Sequence, residues 1–150
     1  LTIPAYTCEL ICDNVHSHPA THRLAWKAKG PEKIILITDC IRPSGLPDGT
    51  YPFTDKEMVT VSEHGTNLRL KNGSLAGSAL TMDRALFNFM NNTGTTLDEI
   101  WRCGSLNAAI QIGISAETGS IEKGKLADLI LLDAACQVKM TMIEGEIVYQ

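Results

Sequence analysis

The hydrophobic pattern changes period along the chain, and each change marks an element. Leu10-Ile11-Cys12 alternates briefly and turns polar at Asp13, a short strand running into a loop. Residues 20–29, ATHRLAWKAK, set Ala20, Leu24, Ala25 and Ala28 at helical spacing, and Gly30-Pro31 ends that helix. Between Lys33 and Thr38, Ile34 to Ile37 form an unbroken apolar run, the pattern of a strand buried on both faces of a parallel sheet. Strand, helix, strand predicts a βαβ unit. Its right-handed crossover puts both strand C-termini on one sheet edge, where α/β proteins bind their ligands. The loop from Asp13 to His18 and the carboxylate of Asp39 are predicted at that edge.

Turn signals then crowd together: Pro47-Asp48-Gly49, Glu63-His64-Gly65 and Lys71-Asn72-Gly73. The alternating stretches EMVTVSE and NLRL between them predict a small antiparallel hairpin excursion. From Thr81 to Asn91, Met82, Ala85, Leu86, Phe89 and Met90 share one helical face, and Gly94 ends the helix. Thr96 with Glu99 has the form of a capping box ahead of Leu97, Ile100 and Trp101, and a looser helical pattern continues to Gly113. Beyond Gly119 the texture is that of strands: Leu129 to Asp133, Val138 to Ile143 and Glu146 to Tyr149, with Glu144-Gly145 as a tight hairpin turn.

Composition narrows the function classes. The 150 residues fit one ordinary domain, and 44% hydrophobic with 20% charged residues fits a folded globular chain. The net charge of -4, from 13 basic and 17 acidic residues with no basic cluster, argues against nucleic-acid binding. The apolar runs are too short to span a bilayer and no signal-peptide pattern opens the chain, so a cytoplasmic setting is expected. Five cysteines without a C-x-x-C pair suggest neither a disulfide framework nor a zinc ribbon. Cys40, beside Asp39, reads as a nucleophile or, the favoured reading, as a small buried apolar residue after its strand. The opening Leu1-Thr2-Ile3-Pro4, without an initiator Met, suggests a fragment or a processed chain.

Candidate chemistry gathers after the two strands. His16-x-His18 has the spacing of a metal pair, with Asp13 and Asp39 as the available additions. His22, on the helix after Pro19, reads as an imidazole without a role. Asp39 reads either as an Asx-turn former or as a general base held rigid by its strand. NGSLAGSALT, residues 72–81, places glycines and serine before a helix, where backbone N–H groups could hold an anion or a sugar hydroxyl. It lacks the Gly-Lys-Ser/Thr of a P-loop.

Taken together, DNVHSHP, ILITDCIRPSGLPDGTY, GSLAGSALTM, SLNAAIQIG and GSIEKGKLADLILLD resemble the C-terminal part of the N-acetylglucosamine-6-phosphate deacetylase family, in the amidohydrolase superfamily. The resemblance runs from about Cys8 to the end. The Gly119–Leu129 motif identifies the superfamily only, whereas LAGSALTM after a Thr-Asp strand is more particular to the deacetylases. The resemblance implies an α/β fold: the C-terminal part of a metal-dependent (β/α)8 TIM barrel plus strands of a small terminal β-sandwich. Residues 1–118 would be barrel with a β-hairpin insertion, and residues 119–150 sandwich strands.

By the same resemblance Asp39 is the catalytic carboxylate, taking a proton from water and giving it to the leaving amine. Asp13, Asn14, Val15 and His16 match a sugar-contacting Asp-Gly-x-His loop, and Leu75, Ala76 and Gly77 match a segment whose backbone lines the sugar pocket. Asn14 stands where the family usually has Gly, and Ala108 where Pro is usual. The family uses a divalent metal, zinc or iron, whose Glu and His ligands lie on earlier strands, so this chain alone is expected to hold none. The implied partners are an amino-sugar phosphate and a second copy in a homodimer, with no nucleic acid and no membrane. The rival readings are another amidohydrolase, acting on a cyclic amide or as a deaminase, and a non-catalytic half-barrel docked on a partner.

Overall fold

A computed structural model describes residues 2–150. It divides into two compact units, Leu1–Ile37 with Met82–Gln150, and Thr38–Thr81.

In the first unit, strand β1 (Cys8–Ile11) pairs in parallel with β2 (Ile34–Ile37), in the register Cys8↔Ile34 to Ile11↔Ile37. Helix α1 (Pro19–Lys29) makes the crossover. Its start is fixed by Pro19 in the first turn and by His18, whose ring accepts the Ala20 N–H. Gly30, at φ 65, stops it and returns its N–H to the Trp26 carbonyl. Ile34, Ile35 and Leu36 are all buried, as the unbroken apolar run requires.

Helix α2 (Met82–Thr93) packs its Ala85, Leu86 and Phe89 face inward. Phe89 is fully buried and meets Trp26 of α1 edge to face, ring centres 5.9 Å apart. The capping box at Thr96 and Glu99 forms as expected and starts α3 (Leu97–Ile100). The loose helical pattern after it is two pieces, a 3-10 turn over Trp101–Gly104 and then α4 (Leu106–Ile112), which Gly113 ends in left-handed conformation. Buried Asn107 ties α4 to the entry of β2, donating to the carbonyls of Pro31 (2.6 Å) and Ile34 (2.8 Å). Strands β6 (Leu129–Leu132), β7 (Val138–Ile143) and β8 (Glu146–Tyr149) close the unit as an antiparallel sheet in the order β6-β7-β8. Glu144 and Gly145, both with positive φ, make the turn between β7 and β8.

The second unit corrects one expectation. Its sheet has three strands rather than a hairpin's two, because β3 (Gly49–Pro52) pairs with β4 (Met58–Ser62), which pairs with β5 (Asn67–Leu70). Val59, Val61 and Leu68 form its core, with Ile41, Tyr51, Phe53, Ala76 and Ala79 packed against them.

Candidate active site

In the first unit the chain leaves β1 into a loop organised by one carboxylate. One oxygen of Asp13 accepts the backbone N–H groups of Val15 and His16, each at 2.9 Å. The other lies 2.7 Å from Nδ1 of His16. Asn14 sits between at φ 64, a left-handed conformation that Asn tolerates better than other residues with a Cβ. Burial pushes the Asp13 carboxyl upward. The two N–H donors and the His16 ring outweigh it and hold the carboxyl below its ordinary value. With Nδ1 committed to Asp13, Nε2 of His16 has no partner among the described residues. His18 does not join His16. It caps α1 instead.

His22, read from the sequence as a bystander, is fully buried and bonded at both ring nitrogens. Nε2 lies 2.6 Å from Oγ of Ser17, and Nδ1 accepts from Nδ2 of Asn92 at 2.9 Å, with Sγ of Cys12 at 3.4 Å. Asn92 also donates to Oδ1 of Asn14 at 2.6 Å, and Asn88 donates to the carbonyl of Cys12 at 2.8 Å. Desolvation dominates at His22 and holds its pKa below 6.5, so the ring is neutral in the fold. An unfolded chain protonates it near that value. Proton uptake on unfolding therefore erodes stability as pH falls below 6.5. Asp13 adds a second loss below 3.8. Urea midpoints measured from pH 7.5 to pH 5 are expected to fall, and His22→Gln to flatten that slope. A slope unchanged by the substitution would contradict the neutral buried ring.

In the second unit Asp39 follows two positions after the end of β2. Its φ is 50, in the left-handed region. Its backbone is clasped on the far side. Ser78 donates its N–H to the Asp39 carbonyl at 2.8 Å, Ile41 donates to the Ser78 carbonyl at 3.2 Å, and the Ser78 hydroxyl donates to the carbonyl of Thr38. Gly77, buried at φ 132, lies against this clasp, and a Cβ there would stand 2.6 Å from Cγ2 of Ile41 and 3.0 Å from the Asp39 carbonyl oxygen. The Asp39 side chain is exposed, and no hydrogen bond from the described residues reaches its carboxylate. It is not an Asx-turn former. The backbone is held and the acid left free.

Residues 72–81 form no helix N-terminal anion site. Asn72 makes an Asx-turn to Ser74, Leu75 bridges to Arg69, and the Ala76 N–H is taken by the Leu68 carbonyl at 3.0 Å.

Among the described residues no three His, Cys, Asp or Glu side chains converge to hold a metal ion. Both Asp13 oxygens are already engaged within the loop. By themselves the described residues supply no complete set of ligands for a divalent metal. The thiols are also ranked by environment. Burial raises Cys12 to about 12 and Cys103 to about 11, while Cys40, expected to be buried, is exposed. Brief alkylation at pH 8 should therefore label Cys40 and spare Cys12 and Cys103 until the chain unfolds, as peptide mass mapping would show.

The amidohydrolase family model matches residues 7–148. The chain belongs to the amidohydrolase family. Within this amidohydrolase's relatives, the N-acetylglucosamine-6-phosphate deacetylase of Bacillus subtilis (strain 168) is 41% identical over 144 residues, which are 96% of this chain and 36% of that protein. A putative N-acetylgalactosamine-6-phosphate deacetylase of Escherichia coli (strain K12) is 37% identical over 139 residues, 93% of this chain and 81% of that one. The crystal structure of the Thermotoga maritima N-acetylglucosamine-6-phosphate deacetylase matches with a TM-score of 0.91 at 38% identity, over 99% of this chain and 40% of that one. The amidohydrolase thus spans little more than a third of the Bacillus relative. Its fold is that of the matching part of these deacetylases, mixed α/β with a parallel βαβ unit, and no barrel closes among the described residues.

Proposed function

We propose that this chain belongs to a hydrolase that cleaves the acetamide of N-acetylglucosamine 6-phosphate to glucosamine 6-phosphate and acetate. The observation that carries the reading is Asp39, a rigidly held backbone bearing an exposed carboxylate with no partner within the chain. In this role Asp39 takes a proton from the attacking water and returns it to the amine nitrogen as the C–N bond breaks. The water oxygen stays on the acetyl carbon as acetate. His16, oriented by Asp13 through Nδ1, presents Nε2 to the substrate acyl group. Asn14, Val15 and the backbone of Leu75, Ala76 and Gly77 contact the sugar.

The proposal extends to the complete protein. Its divalent metal, zinc or iron, is held by residues other than those described. The complete protein is a homodimer, and residues 119–150 contribute strands to a small β-sandwich beside the barrel part in residues 1–118. A cytoplasmic setting fits a phosphorylated substrate, since such a charged sugar does not cross a bilayer unaided.

The second substrate to test is the galacto epimer, for which a relative 37% identical to this chain is named. The two sugars are epimers at C4, so a single assay separates them. The complete protein, metal-loaded, is given both sugar phosphates and unphosphorylated N-acetylglucosamine, and acetate release is followed. Turnover of the gluco phosphate above the galacto epimer is expected. Release from neither would remove the deacetylase reading and leave a deaminase or cyclic-amide hydrolase.

A further inference from the structure

His22 and Asn92 lie outside every motif that carried the family resemblance, and with Ser17 they form a row that touches the loop at both ends. Nδ2 of Asn92 has two hydrogens. One goes to Oδ1 of Asn14 at 2.6 Å and the other to Nδ1 of His22 at 2.9 Å. Because Nδ1 accepts, the ring proton sits on Nε2, which donates to Oγ of Ser17 at 2.6 Å. This excludes a superficially similar arrangement. A serine activated by histidine needs the nitrogen beside its hydroxyl to be the acceptor. Here that nitrogen is the donor, so Ser17 is held rather than activated.

We infer that Asn92 and His22 are positioning residues that lock the Asn14–His16 loop for the amino-sugar phosphate, an inference that rests on the function proposed above. Asn14 enters the loop in a left-handed conformation that glycine adopts freely and Asn does not. Its side chain is tied to α2 through Asn92, and Ser17, at the loop's exit, is tied to α1 through His22. Asn92 joins the two ties. Its own backbone carbonyl accepts from Arg23 of α1 at 3.1 Å, so the two helices are linked at the same point. Between the tied ends lies the Asp13–His16 pair. Neither Asn92 nor His22 need touch the substrate. They decide where Asn14, Val15 and His16 stand.

The test is a set of variants in the complete protein. Asn92→Ala is expected to lower kcat/KM for the sugar phosphate roughly five- to tenfold, most of it in KM, as the loss of a positioning hydrogen bond would. Asn92→Asp keeps the shape, loses both donors, and should match it. His22→Leu should do the same. His22→Gln can still accept from Asn92 and donate to Ser17, and should stay near the wild-type KM. The second readout needs no activity. Amide exchange at Val15 and His16, whose N–H groups are bonded to Asp13, should speed up in Asn92→Ala and stay slow in His22→Gln. KM and exchange both at wild-type values in Asn92→Ala and His22→Leu, whatever happens to the melting temperature, would overturn the inference. If the wild type releases no acetate from any sugar phosphate, the proposed function fails, and exchange alone then decides whether the row locks the loop.

Discussion

Asp39→Asn in the complete enzyme is expected to lower kcat roughly 10²- to 10⁴-fold, the range for losing a positioned general acid–base group. The substitution keeps the size of the side chain and removes its capacity to take up and return a proton. No hydrogen bond within the described residues depends on the carboxylate. Asn also tolerates the left-handed backbone at this position. The melting temperature should therefore stay close to the wild-type value and KM should move little. That combination separates a chemical role from a structural one. A kcat within a few-fold of wild type would remove Asp39 from the mechanism, and a large fall in melting temperature would make it a turn residue after all.

Gly77→Ala should produce the second large effect, by a different route. The added Cβ meets Cγ2 of Ile41 at 2.6 Å and the Asp39 carbonyl oxygen at 3.0 Å. The Ile41 methyl belongs to a stiff β-branched side chain packed on the core of the second unit, and the Asp39 oxygen is main chain held by Ser78. Neither gives way easily. The crowding costs about 1–3 kcal/mol, and a φ of 132, which L residues rarely adopt, adds about 1–3 kcal/mol of its own. The relief available is a shift of the Asp39 backbone, and a displacement of about 1 Å at a catalytic group can lower turnover about 10²-fold. Denaturation and steady-state kinetics on the same preparation should show both losses together. Wild-type stability with wild-type turnover would mean that the clasp accommodates a methyl group and that Gly77 has no part in fixing Asp39.

What could be read in the sequence was mostly what neighbouring residues decide. The helix ending at Gly30, the capping box at Thr96 and Glu99, and the turn at Glu144-Gly145 each depend on a few adjacent side chains, and each appears where the pattern places it. The apolar run of β2 was equally clear, because burial on both faces leaves no alternation to misread. Strand β3 was not. Its four residues, Gly49 to Pro52, carry no alternation, and only pairing with β4 makes them a strand. The long helical stretch after Thr96 hid a break, since its apolar spacing survives the 3-10 turn at Trp101–Gly104.

At the candidate site the division is sharper. The pattern named Asp39 and left an Asx-turn and a free base open; the unpartnered carboxylate removes the turn and leaves the base as the proposed role. His22 was misjudged because its position on α1 says nothing of what covers it. Its partner Asn92 arrives on α2, 70 residues later in the chain. His16 and His18 looked like a pair by spacing alone, yet each finds a nearer partner, Asp13 for one and the Ala20 N–H for the other. Short-range hydrogen bonds outcompeted the geometry that the spacing allowed.

The clasp at Asp39 also bears on how this chain can vary. Cys40 and Ser78 bridge as neighbouring parallel segments, so the excursion between them is a loop whose mouth is sewn shut by its own main chain. Once the mouth is closed, the chain entropy of what lies beyond rises only slowly with length, by about 0.6 kcal/mol per doubling. The bend at Asp55–Lys56, far along that loop from both Cys40 and Ser78 and solvent-exposed, is thus a natural graft point. Sequence can be added there, or a small folded module spliced in, while the stitch that fixes the Asp39 backbone stays as it is.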